Sequence, residues 1–202
     1  MKAIARIGPP GFTTRPATTE DAPRLAELVN IAGEGMPYYL WAKMARPGED
    51  PWEVGRDRAQ REQASFSYRN ALIAEAGDRV VGTLIGYPLP DAPEPIDPTM
   101  SAMFVPLQEL ENIAAGTWYV NVIAVYDEYR GRGYGTYLLS VADRIASELD
   151  HKGLSIIVAG TNSGARRLYE RCGYKLRAQR QLEKEDWVSE GQNWLLLIKE
   201  RA

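Results

Sequence analysis

The chain is poor in several residue types and patterns, and each shortage excludes something. Among 202 residues there is one cysteine and one histidine. A single cysteine excludes an internal disulfide and suits a reducing cytosol. Basic charge is not in excess: the net charge is -3, which argues against general nucleic-acid binding. No apolar run approaches the roughly 20 residues that span a membrane. The opening Met1-Lys2-Ala3-Ile4-Ala5-Arg6-Ile7 is too short and too charged for a signal peptide. The expectation is a cytoplasmic protein that engages neither a membrane nor nucleic acid. There is no internal repeat, and the one biased tract is residues 88–101, with five prolines and three acids.

What is present is ordinary for a globular α/β chain: 45% hydrophobic and 25% charged residues. The length suits one domain with a sizeable core. Residues 1–11 end in Pro9-Pro10-Gly11 and read as a loose lead-in, so the domain is expected over 12–202. Phe12 to Pro16 reads as a first strand. Thr18 then caps a helix, with Asp21 in a near capping box. Leu25, Leu28, Val29 and Ala32 recur at helical spacing, and Gly33 and Gly35 end that helix. A charged, loosely patterned helix is expected around Trp52 to Gln63. Gly77-Asp78 joins two runs, 70–75 and 79–85, as a β-hairpin. A short helix fits 104–115, a strand 118–125, and a helix after it carries the stripe Leu138, Ala142, Ile145, Leu149. A strand from Leu154 to Ala159, a short helix, and late strands at 175–182 and 193–199 complete the order. Such an order fits a mixed sheet with helices on both faces.

The most informative stretch is Val122-Ile123-Ala124-Val125-Tyr126-Asp127-Glu128-Tyr129-Arg130-Gly131-Arg132-Gly133-Tyr134-Gly135-Thr136. An apolar, β-branched strand feeds a turn with two arginines and three glycines, and a helix follows. This is how a chain builds an anion cradle: turn and helix N-terminus present backbone N–H groups, and the helix dipole favours negative charge. Glycine lets the backbone approach the anion and take positive φ. A dinucleotide fingerprint needs a third glycine where Thr136 stands, and a P-loop needs a lysine that is missing.

What stands there is Arg130-x-x-Gly133-x-Gly135, which resembles the [QR]-x-x-G-x-[GA] signature of the GNAT superfamily of N-acetyltransferases. About thirty residues on, Asn162-Ser163-Gly164-Ala165-Arg166-Arg167-Leu168-Tyr169-Glu170-Arg171-Cys172-Gly173-Tyr174 resembles that family's second signature, N-x-x-A-x-x-L-Y-x-x-x-G-[FY]. The resemblance implies a mostly antiparallel sheet of about seven strands, splayed where strand 118–125 meets strand 154–159. It implies acetyl-CoA as co-substrate, with the pyrophosphate on Arg130, Gly131, Arg132, Gly133, Tyr134, Gly135 and Thr136. The pantetheine would lie against Ile123, Ala124, Val125, Asn162 and Ala165, and the backbone N–H of Ile123 or Val125 would face the thioester carbonyl. Tyr169 matches the tyrosine placed near the sulfur, where it would assist departure of the thiolate.

Acetyl transfer to an amine also needs the amine neutral. Many relatives carry a glutamate for this on the strand before the cradle. Here Trp118-Tyr119-Val120-Asn121-Val122 has no carboxylate. Tyr119 or Asn121 holding a relay water, or Glu109 or Glu111 reaching in, are the alternatives the sequence leaves open. Without a carboxylate base the rate should climb with pH until the amine is neutral, whereas a carboxylate base gives a plateau from lower pH. His151 reads as a solvated helix end and Cys172 as a small core residue, which favours direct transfer over an acyl-enzyme. No metal is expected. Residues 88–116 hold Asp91, Glu94, Asp97, Glu109 and Glu111 without a lysine or arginine, which suits a cationic small-molecule or peptide amine. Met36, Pro37, Tyr38, Tyr39 and Trp41 read as core aromatics and their neighbours before they read as an acceptor site. A homodimer is the oligomer expected, and a non-catalytic acyl-CoA-binding module or an O- or longer-acyl transferase are the rival functions.

Overall fold

The structure is a computed structural model that describes Gly11 to Arg201. The expected lead-in lies outside the described residues except for Gly11. Seven strands form one sheet in the order β1-β2-β3-β4-β5-β7-β6, and six α-helices accompany it among the described residues. The strands are β1 (Phe12–Pro16), β2 (Ala71–Ala76), β3 (Arg79–Pro88), β4 (Trp118–Val125), β5 (Gly153–Ala159), β6 (Lys175–Gln181) and β7 (Asn193–Glu200). The helices are α1 (Ala22–Ala32), α2 (Met36–Met44), α3 (Pro51–Ala59), α4 (Val105–Ile113), α5 (Tyr134–Glu148) and α6 (Ser163–Arg171). The chain clusters into two compact units, one holding the residues up to Ile85 with Val122–Val141, the other Gly86–Asn121 with Ala142–Ala202.

In the first unit β1 pairs antiparallel with β2, and β2 with β3 across the Gly77 turn. The expected cap at Thr18 forms: the Thr18 N–H donates to Asp21 Oδ2 at 2.8 Å, and Arg15 clamps both carboxylate oxygens of Asp21 at 2.8 Å. Its stripe drives α1 into the core, where Leu25, Leu28 and Val29 are buried. Trp41 of α2 is 2% exposed and packs on Trp52 and Phe66, with ring centroids 5.7 and 6.2 Å away. The core reading of this aromatic therefore holds. Gly55 of α3 lies flat on it, since a Cβ there would meet the Trp41 ring at 2.7 Å.

Two boundaries differ from the sequence expectation. The sequence reading named no element between Gly35 and Trp52, yet Gly35 turns at φ 86 and α2 starts at once, with Pro37 in its first turn. The charged helix ends at Ala59 rather than Gln63.

The second unit holds β5, β7 and β6 as an antiparallel run, with β5 paired to β7 from Gly153↔Glu200 to Ala159↔Trp194. Strands β4 and β5 are parallel, from Trp118↔Leu154 to Val120↔Ile156. Beneath this pairing, Thr117 Oγ1 and Ser155 Oγ share a buried hydrogen bond of 2.7 Å. Leu149, placed in the α5 stripe from sequence, is 58% exposed. Its helix ends at Glu148 and the chain turns away through Asp150 at φ 59.

Candidate active site

The cradle belongs to the first unit. Strand β4 alternates, with Val122 and Ala124 buried and Ile123 and Val125 half-buried. Past Val125 the strand is anchored by Tyr126, whose N–H donates to Val81 O at 3.0 Å. Its hydroxyl donates to Glu27 Oε2 of α1 at 2.6 Å. The turn that follows is exposed. Gly131 sits at φ 73 and Gly133 at φ 86, in the left-handed region that costs glycine nothing. Tyr134 opens the 15-residue helix α5. Its ring is spent on packing: it stacks on Phe12 at 4.8 Å and is 8% exposed. So Tyr134, Gly135 and Thr136 offer a ligand their backbone N–H groups, which have no partner within the helix.

The two arginines are not bare cations. Arg130 pairs with Asp127 at 2.8 Å, and its Nε donates to Val125 O at 3.2 Å. Arg132 donates to Glu128 O at 2.9 Å and lies over the Tyr129 ring at 5.6 Å. These bonds hold the turn's shape and offset part of the charge of the two arginines, leaving the backbone as the principal anion donor.

A second group of candidates gathers in the other unit. Tyr119 and Asn121 point to one face of β4, two residues apart. Tyr119 is 4% exposed, its hydroxyl shares a hydrogen bond with the Asn121 side chain, and it lies within electrostatic reach of Glu111, Tyr87 and Tyr169. Burial first, then Glu111, pushes the Tyr119 phenol well up. Tyr87, which nothing in the sequence singled out, meets Tyr119 edge-on at 5.6 Å. Tyr169 of α6 is 5% exposed, and burial pushes its phenol up as well. A phenol raised in this way keeps its proton at working pH. It holds that proton more firmly than a thiol with a reference value near 8.5, so its chemistry toward a departing thiolate is hydrogen-bond donation.

Asn162 caps α6: its Oδ1 accepts from Ala165 N at 3.1 Å. Gly173 ends that helix at φ 93, as expected. The Cys172 thiol, half-buried at the helix end, is pushed up mainly by burial, the opposite of an activated nucleophile. His151 follows the end of α5, with its N–H donating to Ala146 O.

The remaining candidates are the acids before β4. Glu109 is ion-paired with Arg180 of β6. Asp97 turns back to cap Thr99. Glu94 is held through its backbone by the Asn112 side chain, in bonds of 2.9 and 2.8 Å. Glu111 is half-buried on the last turn of α4, and burial, with Glu94 second, pushes its carboxyl up to about 7. No group of three or more metal-ligating side chains exists among the described residues.

One unit thus holds a strand, a glycine turn and a helix in succession, and the other a strand followed by a helix with a buried tyrosine. The profile of the Acetyltransferase (GNAT) family matches residues 36–174, and the chain belongs to that family. An uncharacterized N-acetyltransferase, YycN, of Bacillus subtilis (strain 168) is 33% identical over 57 residues, covering 28% of this chain and 36% of that protein. The match thus spans about a third of the relative's length. An N-acetyltransferase from Staphylococcus aureus Mu50 superposes with a TM-score of 0.61 at 22% identity, over 92% of this chain and 99% of that one. A GNAT family acetyltransferase from Elizabethkingia anophelis, with acetyl-CoA bound, gives a TM-score of 0.60 at 17% identity, over 96% and 100%. At these identities the solved structures speak for the fold.

Proposed function

We propose that the protein is an acetyl-CoA-dependent N-acetyltransferase that moves the acetyl group directly to a primary amine of a small molecule or peptide. The observation that carries this reading is the exposed turn 130–133, with two glycines at positive φ, opening into α5. Its donor set fits a pyrophosphate: backbone N–H groups at a helix N-terminus, with arginines already fixed beside them. By the family resemblance, the pantetheine arm would run along Ile123, Ala124 and Val125, pairing with the β4 backbone as an added strand does, with Asn162 and Ala165 as further contacts. A backbone N–H of Ile123 or Val125 would stabilise the oxyanion. Tyr169 would donate to the sulfur as it leaves.

Direct transfer is favoured because the one cysteine has a raised pKa. A primary amine is favoured because residues 88–116 present carboxylates and no basic residue. The test is a panel of amines and amino-terminal peptides incubated with acetyl-CoA and purified protein, following free thiol. The reading expects thiol release that depends on one class of amine. Binding of acetyl-CoA with no turnover of any amine would favour a non-catalytic acyl-CoA module instead.

A further inference from the structure

We infer that Glu111 is the general base that takes the proton of the attacking amine, in place of a carboxylate on β4. The inference rests on the N-acetyltransferase reading and adds to it the residue that the strand lacks.

The argument starts from what α4 does with its polar side chains. Gln108 donates to Asn112 at 3.3 Å, Asn112 grips the Glu94 backbone on both sides, and Glu109 is ion-paired with Arg180. These bonds tie α4 to the loop before it and to β6. Glu111 alone among the polar side chains of the helix has neither an ion pair nor a hydrogen bond among the described residues, yet it is half-buried. A carboxylate held out of water without a partner costs stability, and such groups are concentrated where chemistry needs them.

Its surroundings say which chemistry. The charged and polar groups within electrostatic reach of it are Glu94 from the loop and Tyr119 from β4. Tyr119 in turn bonds Asn121 and feels Tyr169 and Tyr87. Arg180, which reaches α4 from β6, is committed to Glu109, and the Lys152 ammonium lies beside Gly116, in the turn after the helix. The carboxyl is therefore coupled electrostatically to Tyr119, on the polar face of β4 where the family reading places the reaction, and among the described residues no ion pair fixes it in the ionised state. Burial and Glu94 together set its proton affinity near neutrality, where a base works best.

The step balances as follows. The Glu111 carboxylate takes a proton from the bound ammonium, and the neutral amine attacks the thioester carbon to form the C–N bond. The C–S bond then breaks, the thiolate accepts a hydrogen bond from Tyr169 and takes up the second N–H proton, and Glu111 returns its own proton to solvent. The sum is ammonium plus thioester giving amide, thiol and one proton.

The test is Glu111→Gln, which keeps size and shape. At saturating acetyl-CoA, wild-type kcat/KM for the amine should rise with pH to a plateau above about 7. In E111Q, kcat should fall by about 10²-fold or more, and the rise near 7 should disappear, leaving a rate that climbs toward the amine's own pKa. The KM for acetyl-CoA and the melting temperature should stay within error of wild type or, for the latter, rise. Wild-type turnover in E111Q with the same pH profile would overturn the inference and leave the N-acetyltransferase reading standing. Acetyl-CoA binding by wild type with no amine turned over would overturn both. Loss of rate in E111Q with the limb near 7 unmoved would assign Glu111 to structure and overturn the inference.

Discussion

Replacing Gly133 by alanine probes the cradle where backbone geometry alone is at stake. Gly133 holds φ 86, and an L-residue with a Cβ pays about 1–2 kcal/mol there. At about 2–4 °C per kcal/mol for a domain of this size, the melting temperature should drop by roughly 2–8 °C. If the strained turn opens, at least one N–H bond to a charged phosphate is lost. Such a bond contributes about 1.5–3 kcal/mol, so affinity for coenzyme A should fall roughly 10- to 150-fold.

The assay is a calorimetric titration of wild type and G133A with coenzyme A. A built-in control separates strain from binding. Gly48, in the loop between α2 and α3, has φ 85 and open space where a Cβ would go. G48A should lower the melting temperature by a similar amount and leave the dissociation constant unchanged. If G133A binds coenzyme A as wild type does, the pyrophosphate does not sit on this turn, and the cradle argument fails.

Three further outcomes are expected. Tyr169→Phe should lower kcat by about 10²-fold or more with little change in KM for acetyl-CoA, because the ring still packs. Full retention of kcat would place Tyr169 in the core alone. Asp21 is held below the ordinary carboxylate range chiefly by Arg15, so its contribution is present above about pH 4 and fades as pH falls through the lowered value. Asp21→Asn should cost about 1–3 kcal/mol at pH 7, toward the low end because Arg15 is 39% exposed, and should flatten the acid limb of a melting-temperature profile. Finally, if the acids of residues 88–116 steer a cationic amine, kcat/KM for that amine should fall as ionic strength rises past about 0.1 M. An insensitive rate would remove that reason for choosing a cationic acceptor.

The sequence carried the parts of this fold that punctuation and period encode. Phe12–Pro16, the Gly77 hairpin, β4 with its glycine turn, and α6 between Asn162 and Gly173 were all legible because a cap, a glycine or an alternation marks each end. Helix α2 was not, because Met36-Pro37-Tyr38-Tyr39-Leu40-Trp41 shows no helical stripe and the glycines before it look like a terminator. The exposure of Leu149 was hidden for the converse reason: its spacing fits the α5 stripe, but the helix stops one residue earlier.

The site divides in the same way. Backbone devices such as Gly131, Gly133 and the Asn162 cap can be read from residue type. The pairing of Arg130 with Asp127, the edge contact of Tyr87 on Tyr119, and the choice between Glu109 and Glu111 depend on partners distant in the chain or on side-chain direction. Only the ion pair from Arg180 of β6 shows that Glu109 is engaged and Glu111 is not.

The most direct measurement on the central claim is mass spectrometry of the acceptor after reaction with acetyl-CoA and purified protein, with thiol release followed in parallel. The account predicts one acetyl group per thiol released, attached to nitrogen, and no acetylated protein at Cys172. Thiol release without an acetylated amine, or an acetyl group found on oxygen or on Cys172, would contradict it.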